Sequence, residues 1–188
     1  SLEYAAVRAG GAGVIDLSAR GRILISGSEA VMFLNGLITN DMKTLAVNTW
    51  MPAAFPNVQG RLLAAIRVIH REDEFLIDTE NATRDTVVKL LERFTLAGDF
   101  RLADLSQHMA LLSIQGAKAF ETVAVTFGEA FAIPERGAVT SVDWKGKQVT
   151  AIRATHTGED GFDLFVDAAD AEALRDLFIK AGAQPIGP

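Results

Sequence analysis

What most limits the folds open to this chain is an order of elements that its sequence runs through twice. RILIS (22–26) is a short apolar run rich in branched residues, as a buried strand requires. SEAVMFLNGLI (28–38) follows, with Val31, Phe33, Leu34, Leu37 and Ile38 at helical spacing and Ser28 at the N-cap position. WMPAAF (50–55), RLLAAIRVIH (61–70) and EFLIDT (74–79) read as extended segments, the last two joined around a polar REDE turn. NATRDTVVKLLERF (81–94) closes the set as a helix, its Val87, Val88, Leu90, Leu91 and Phe94 forming one apolar stripe. The second half repeats the order: MALLSIQ (109–115) as a strand, GAKAFETVAVTF (116–127) as a helix opened by Gly116, KQVTAIRAT (147–155) and GFDLFVD (161–167) as a strand pair, and AADAEALRDLFIKAG (168–182) as a helix ended by Gly182. Two such sets predict an α+β fold of two similar lobes, each an antiparallel sheet with one face under helices. LADLSQH (102–108) is the weakest joint, so the first lobe is expected at residues 1–105 and the second at 106–188. A cleft between two lobes is a natural place for a ligand.

Composition narrows the chemistry. A chain of 188 residues can bury a sizeable core without staples. It has no cysteine, which excludes disulfides and cysteine-based metal sites within it and fits a reducing compartment. His70, His108 and His156 lack the close pairing of a helical metal motif, so no metal is expected. A net charge of −6 without a Lys/Arg cluster gives phosphate backbones no attraction, and nucleic acid is not expected as a partner. No apolar run is long enough to cross a bilayer, and SLEYAAVRAGGAG lacks the order of a secretion signal, so the expected setting is cytoplasmic, off the membrane. AGAQPIGP stops just after a helix with no polar tail, which suggests one piece of a longer protein.

The corner between the last two strands, RATHTGEDGFDLFV (153–166), crowds glycines, adjacent acids and a histidine into a few residues. Taken by itself, Thr157–Gly161 is a solvated turn: glycine supplies positive φ, and Asp or Glu are ordinary turn residues.

Taken together, separated stretches say more. The run VRAGGAGVIDLSARGRILISGSEAVMFLNGLITNDMKTL, the central ALLSIQGAKA, the corner RATHTGEDGFDLFV and the end AGAQPIG stand in an order and spacing similar to the folate-binding part of the glycine cleavage T-protein (aminomethyltransferase) and its YgfZ-like relatives. The resemblance spans essentially the entire chain. It implies a folate-binding fold of two swapped lobes, a pocket for tetrahydrofolate or a one-carbon derivative, and a C-terminal domain beyond Pro188 as a partner of this segment. The corner resembles the family's G-Y-T-G-E-D-G-F-E, whose tyrosine and last glutamate line the pterin pocket; His156 and Asp163 hold those positions here. A pterin presents a ring N–H and an exocyclic NH2 side by side, and a carboxylate accepts both.

The family run G-I-L-D-D-L-I-V, whose second aspartate is the main polar participant in methylene transfer, is matched by GRLLAAIRV (60–68). The aligned residue is Ala64, so that carboxylate is missing. The asparagine that the transferase offers to folate aligns with Asp78, for which three readings stand: a folate ligand, a replacement acid, or a cap for the helix beginning near Asn81. The resemblance places Met51 near the folate, although Trp50, Met51 and Phe55 read equally as core. QGR at 59–61 resembles the non-transferase relatives, which are linked to folate-dependent maintenance of iron–sulfur enzymes and to tRNA modification. The expectation is a tetrahydrofolate-binding protein on the YgfZ-like branch that does not cleave glycine. Two alternatives stand beside it: a working folate-dependent aminomethyl or methyl transferase whose acid comes from Asp78, Glu159 or Asp163, and a folate-free scaffold in which Trp50 or Phe55 fills the pterin volume.

Overall fold

The computed structural model describes Val7, residues 10–128 and residues 131–187. Its strands are β1 (Gly13–Asp16), β2 (Gly21–Ser26), β3 (Thr49–Pro56), β4 (Leu62–Arg71), β5 (Glu74–Thr79), β6 (Arg101–Asp104), β7 (Met109–Gln115), β8 (Val139–Trp144), β9 (Lys147–Arg153), β10 (Gly161–Asp167) and β11 (Gln184–Ile186). The α-helices bounded within the described residues are α1 (Ala30–Asn35), α2 (Asn81–Glu92), α3 (Ala119–Phe127) and α4 (Ala171–Lys180). The fold is α+β, and every strand pair among the described residues is antiparallel except β1 with β11.

The contiguous unit Ala19–Gln107 holds one sheet, in the order β3-β4-β5-β2-β6. Period-two alternation decides which face each strand buries. Ala64, Ile66 and Val68 of β4, Phe75 and Ile77 of β5, and Ile23 and Ile25 of β2 enter one apolar core with Leu34 of α1 and Val87 and Leu91 of α2. Val87 and Leu91 stand one helical turn apart, and each contributes about 1.5–3 kcal/mol by leaving water. A charge at Val87 would break this seam.

Helix α1 is shorter than its apolar spacing predicts, and Ser28 does not cap it: the cap position falls to Glu29, which makes no side-chain cap bond. Ser28 is drawn away by Asp99, whose Oδ2 accepts its N–H at 2.9 Å and its hydroxyl at 2.8 Å.

The second unit joins the described residues up to Ser18 with those from His108 onward. Its sheet runs β11-β1-β7-β10-β9-β8. Leu112 and Ile114 of β7, Phe162 and Leu164 of β10 and Ala151 of β9 pack on Val123 of α3 and on Leu174 and Phe178 of α4. Helix α3 begins at Ala119, past the Gly116 expected to open it, and the Ala119 N–H donates to the Gly116 carbonyl at 2.9 Å.

The division differs from the one expected at 105/106 in where the first residues belong. The described residues ahead of Ala19 group with the second half because β1 is hydrogen-bonded between β7 and β11.

Candidate functional site

Each sheet turns a second face away from its helix-covered core, and both second faces carry buried polar groups. On β10, Phe162, Leu164 and Val166 enter the core, so Asp163 lies on the other face, opposite Ser113 of β7 and Ile152 of β9. Asp163, Ser113 and Gln115 are all 0% exposed. The Asp163 carboxylate accepts from His156 Nε2, at 2.9 Å to Oδ2 and 3.1 Å to Oδ1.

The corner that carries His156 is held by Gln115. Its Nε2 donates to Ser113 Oγ and to the Ala154 carbonyl, both at 2.9 Å, and its Oε1 accepts the His156 N–H at 3.0 Å. Gly161 makes this possible, since a Cβ there would stand 2.2 Å from Gln115 Nε2. Gly158 turns the chain with φ +81°, a conformation costly for any side chain. Asp160 clamps the corner through the guanidinium of Arg153 (2.8 Å from Nε), and its own carbonyl accepts the Gly116 N–H at 2.9 Å. The crowding of the corner is thus a set of bonds, each with its own residue.

The Arg153 guanidinium holds the Asp160 carboxyl below the ordinary range, outweighing its partial burial. A depressed folded-state pKa means the clamp contributes fully above the unfolded value, about 4, and is lost as pH falls further. We expect the Gly116 and Gly161 amide resonances to shift together with a midpoint below pH about 4. A midpoint above that value would contradict the pairing.

On the other sheet, Asp78 of β5 stands opposite Arg67 of β4 and Arg22 of β2, on the face away from the core. Asp78 and Arg22 are 0% exposed. The Asp78 carboxylate accepts from Arg20 Nε (3.0 and 3.2 Å), Arg20 Nη2 (2.8 Å) and Arg67 Nε (2.7 Å). Arg20 also pairs with Glu80. Burial acts to lower the Arg20 pKa, but the carboxylates of Asp78 and Glu80 outweigh it and raise the value.

The structure brings two of the sequence-predicted site residues together, His156 with Asp163, and sets the others apart. Asp78 does not cap α2, whose cap position is Glu80, because its carboxylate is engaged by arginines. Ala64 is 1% exposed and packs in the core with Phe55, Ile66 and Val68. Met51 packs against the same core, so both face away from Asp78. The position on β4 that shares Arg67's face is Ala65, paired with Ala54. Phe55 is a core residue; Trp50 stands opposite Ile69, on the second face.

Sequence reasoning missed Gln115, Ser113, Arg20, Arg22 and Arg67. For all but Arg20, which precedes its strand, the available signal was polarity inside apolar strand runs, in GRILIS, AAIRVIH and LLSIQ. Among the described residues, no group of three or more His, Cys, Asp or Glu is placed to hold a metal ion. None of their helices is long and apolar enough to cross a membrane.

This fold is that of the N-terminal half of aminomethyltransferases. The crystal structure of the glycine cleavage system aminomethyltransferase T from Bartonella henselae matches it with a TM-score of 0.84, covering 99% of this chain and 50% of that one at 19% identity. The heterotetrameric sarcosine oxidase from Corynebacterium sp. U-96 matches with a TM-score of 0.59 at 18% identity, over 96% of this chain and 89% of that one. At these identities the likeness is one of fold. Residues 1–187 match the family described as the GCVT N-terminal domain, and the chain belongs to it. Aminomethyltransferases from Thermus thermophilus and Shouchella clausii are 33% and 32% identical to it over 190 and 187 residues, each across 98% of this chain. The chain spans about half the length of these relatives, 53% and 50%.

Proposed function

We propose that this chain is a folate-binding segment of the T-protein superfamily, on the YgfZ-like branch, which holds tetrahydrofolate or a one-carbon derivative without cleaving glycine. The observation that carries the reading is the buried carboxylate of Asp163, fixed on the second face of its sheet. The donor set fits a reduced pterin. A pterin's ring N–H and exocyclic NH2 are donors of the kind a carboxylate accepts, and the His156 ring stands beside that carboxylate as a second polar group for the ligand. When bound, the folate would supply the one-carbon chemistry; Asp163 and His156 would bind and orient its head.

The non-transferase reading rests on absent acid chemistry. Ala64 and Ala65 offer no proton acceptor on β4. The Asp78 carboxylate is already engaged by two guanidiniums. A role in maintaining iron–sulfur enzymes or in tRNA modification, together with a following C-terminal domain, goes with this branch.

The test is calorimetric titration of the full-length protein with 5-formyltetrahydrofolate. Binding at micromolar concentration is expected, weakened at least tenfold in Asp163→Ala, about the loss of one charge-assisted hydrogen bond. Absence of heat at high micromolar ligand sinks the reading. A working transferase is favoured by the 33% identity to an aminomethyltransferase. It predicts methylene transfer from an aminomethyl donor that Asp78→Asn or Asp163→Asn abolishes.

A further inference from the structure

Asp78 and Asp163 are the carboxylates with 0% exposure among the described residues, and their counter-charges differ in kind. Asp78 is gripped by Arg20 and Arg67, whose guanidiniums release no proton at any pH a fold survives. Asp163 is partnered by an imidazole, the side chain whose charge changes near neutrality. One buried carboxylate thus faces permanent cations, and the other faces a side chain that can exchange a proton.

The geometry assigns the ring. A carboxylate only accepts, so the shared proton sits on His156 Nε2, and in the neutral ring Nδ1 carries the lone pair. No described residue hydrogen-bonds Nδ1, and the His156 side chain is 30% exposed. The backbone behind it is pinned by Gln115 at 3.0 Å. This is a base with an orienting acid, as in nucleophilic triads but with the ring turned end for end. Neighbouring charges do not replace Asp163: β7 contributes neutral Ser113 and Gln115, β9 contributes Arg153, paired with Asp160, and Glu159 is the corner's remaining carboxylate.

Resting on the folate reading above, we propose that His156 is the proton-exchanging group of this site, acting on a nitrogen of the bound reduced pteridine through Nδ1, with Asp163 as its positioning residue. In the forward step the ligand's N–H bond breaks and its electron pair stays on the ligand nitrogen. The Nδ1–H bond forms, and Asp163 offsets the imidazolium charge. The reverse step returns the proton to the ligand, so that a one-carbon unit can leave or join a nitrogen without a carboxylate on β4.

Two measurements test this. In the unliganded full-length protein, nitrogen NMR of His156 is expected to show the neutral ring as the Nε2–H tautomer; the Nδ1–H tautomer would overturn the assignment. Calorimetry with 5-formyltetrahydrofolate, in buffers of unlike ionisation heat from pH 5.5 to 8.5, is expected to show proton linkage, with affinity changing by up to about tenfold per pH unit for one linked proton. That linkage should vanish in His156→Gln and persist in Glu159→Gln. Binding with the same linkage in His156→Gln would overturn the proposal while leaving the folate reading intact. No binding by the wild type would overturn the folate reading itself, with the tautomer still deciding how the pair is built.

Discussion

Replacing Asp78 with alanine is expected to lower stability by about 3–5 kcal/mol, the range for removing one partner of a buried ion pair. The effect comes from what is left behind. Arg20 and Arg67 have side chains only 17% and 12% exposed, and both would lose the carboxylate that offsets their charge. Arg22, 0% exposed and directly opposite Asp78 on β2, adds further positive charge to the same row. Asp78→Asn should cost less, because its carbonyl still accepts one bond. Urea unfolding checks this; a loss below about 1 kcal/mol for Asp78→Ala would mean that water compensates the arginines and that the row is not sealed.

Gly161→Ala is expected to cost about 3 kcal/mol and to release His156, combining overpacking with the stranding of a buried amide. The added methyl would stand 2.2 Å from Gln115 Nε2 and 2.6 Å from the Ile114 carbonyl. The backbone cannot yield, so Gln115 must swing away from Ser113, Ala154 and His156 together. Gly158→Ala is the useful contrast. Its Cβ would meet nothing within 4 Å, so it carries only the penalty of φ +81°, about 1–2 kcal/mol. Unfolding curves and the His156 ring resonances separate the two variants. Equal losses, with the His156 signals unmoved in Gly161→Ala, would refute the role given to Gln115.

Elements were legible where one segment carries its own period. EFLIDT and GFDLFVD are short runs dominated by apolar residues between turn residues, and Val87 with Leu91 or Leu174 with Phe178 repeat at helical spacing, so β5, β10, α2 and α4 follow from the sequence. The strands β1, β6, β8 and β11 were not legible. β1, β6 and β11 are only 4, 4 and 3 residues long, and they exist because a distant partner supplies their hydrogen bonds. β6 was hidden inside the stretch that read as a joint between lobes. At the site, Asp163 came from the corner's resemblance to the family, the corner by itself reading as a solvated turn. Its engagement by His156 depends on Gln115, which sits at the end of another strand far away in sequence and is placed by sheet register alone.

The parallel pairing of β1 with β11, Gly13 beside Gln184, has a consequence for synthesis on the ribosome. Residues 19–107 emerge as an unbroken stretch carrying every strand of their own sheet, and can condense at once. The sheet begun by β1 stays open at that margin until residues 184–186 have been made. The first described strand of this sheet is thus the one whose second partner comes latest in the sheet, and this exposed margin is where nascent chains would be most vulnerable to mispairing.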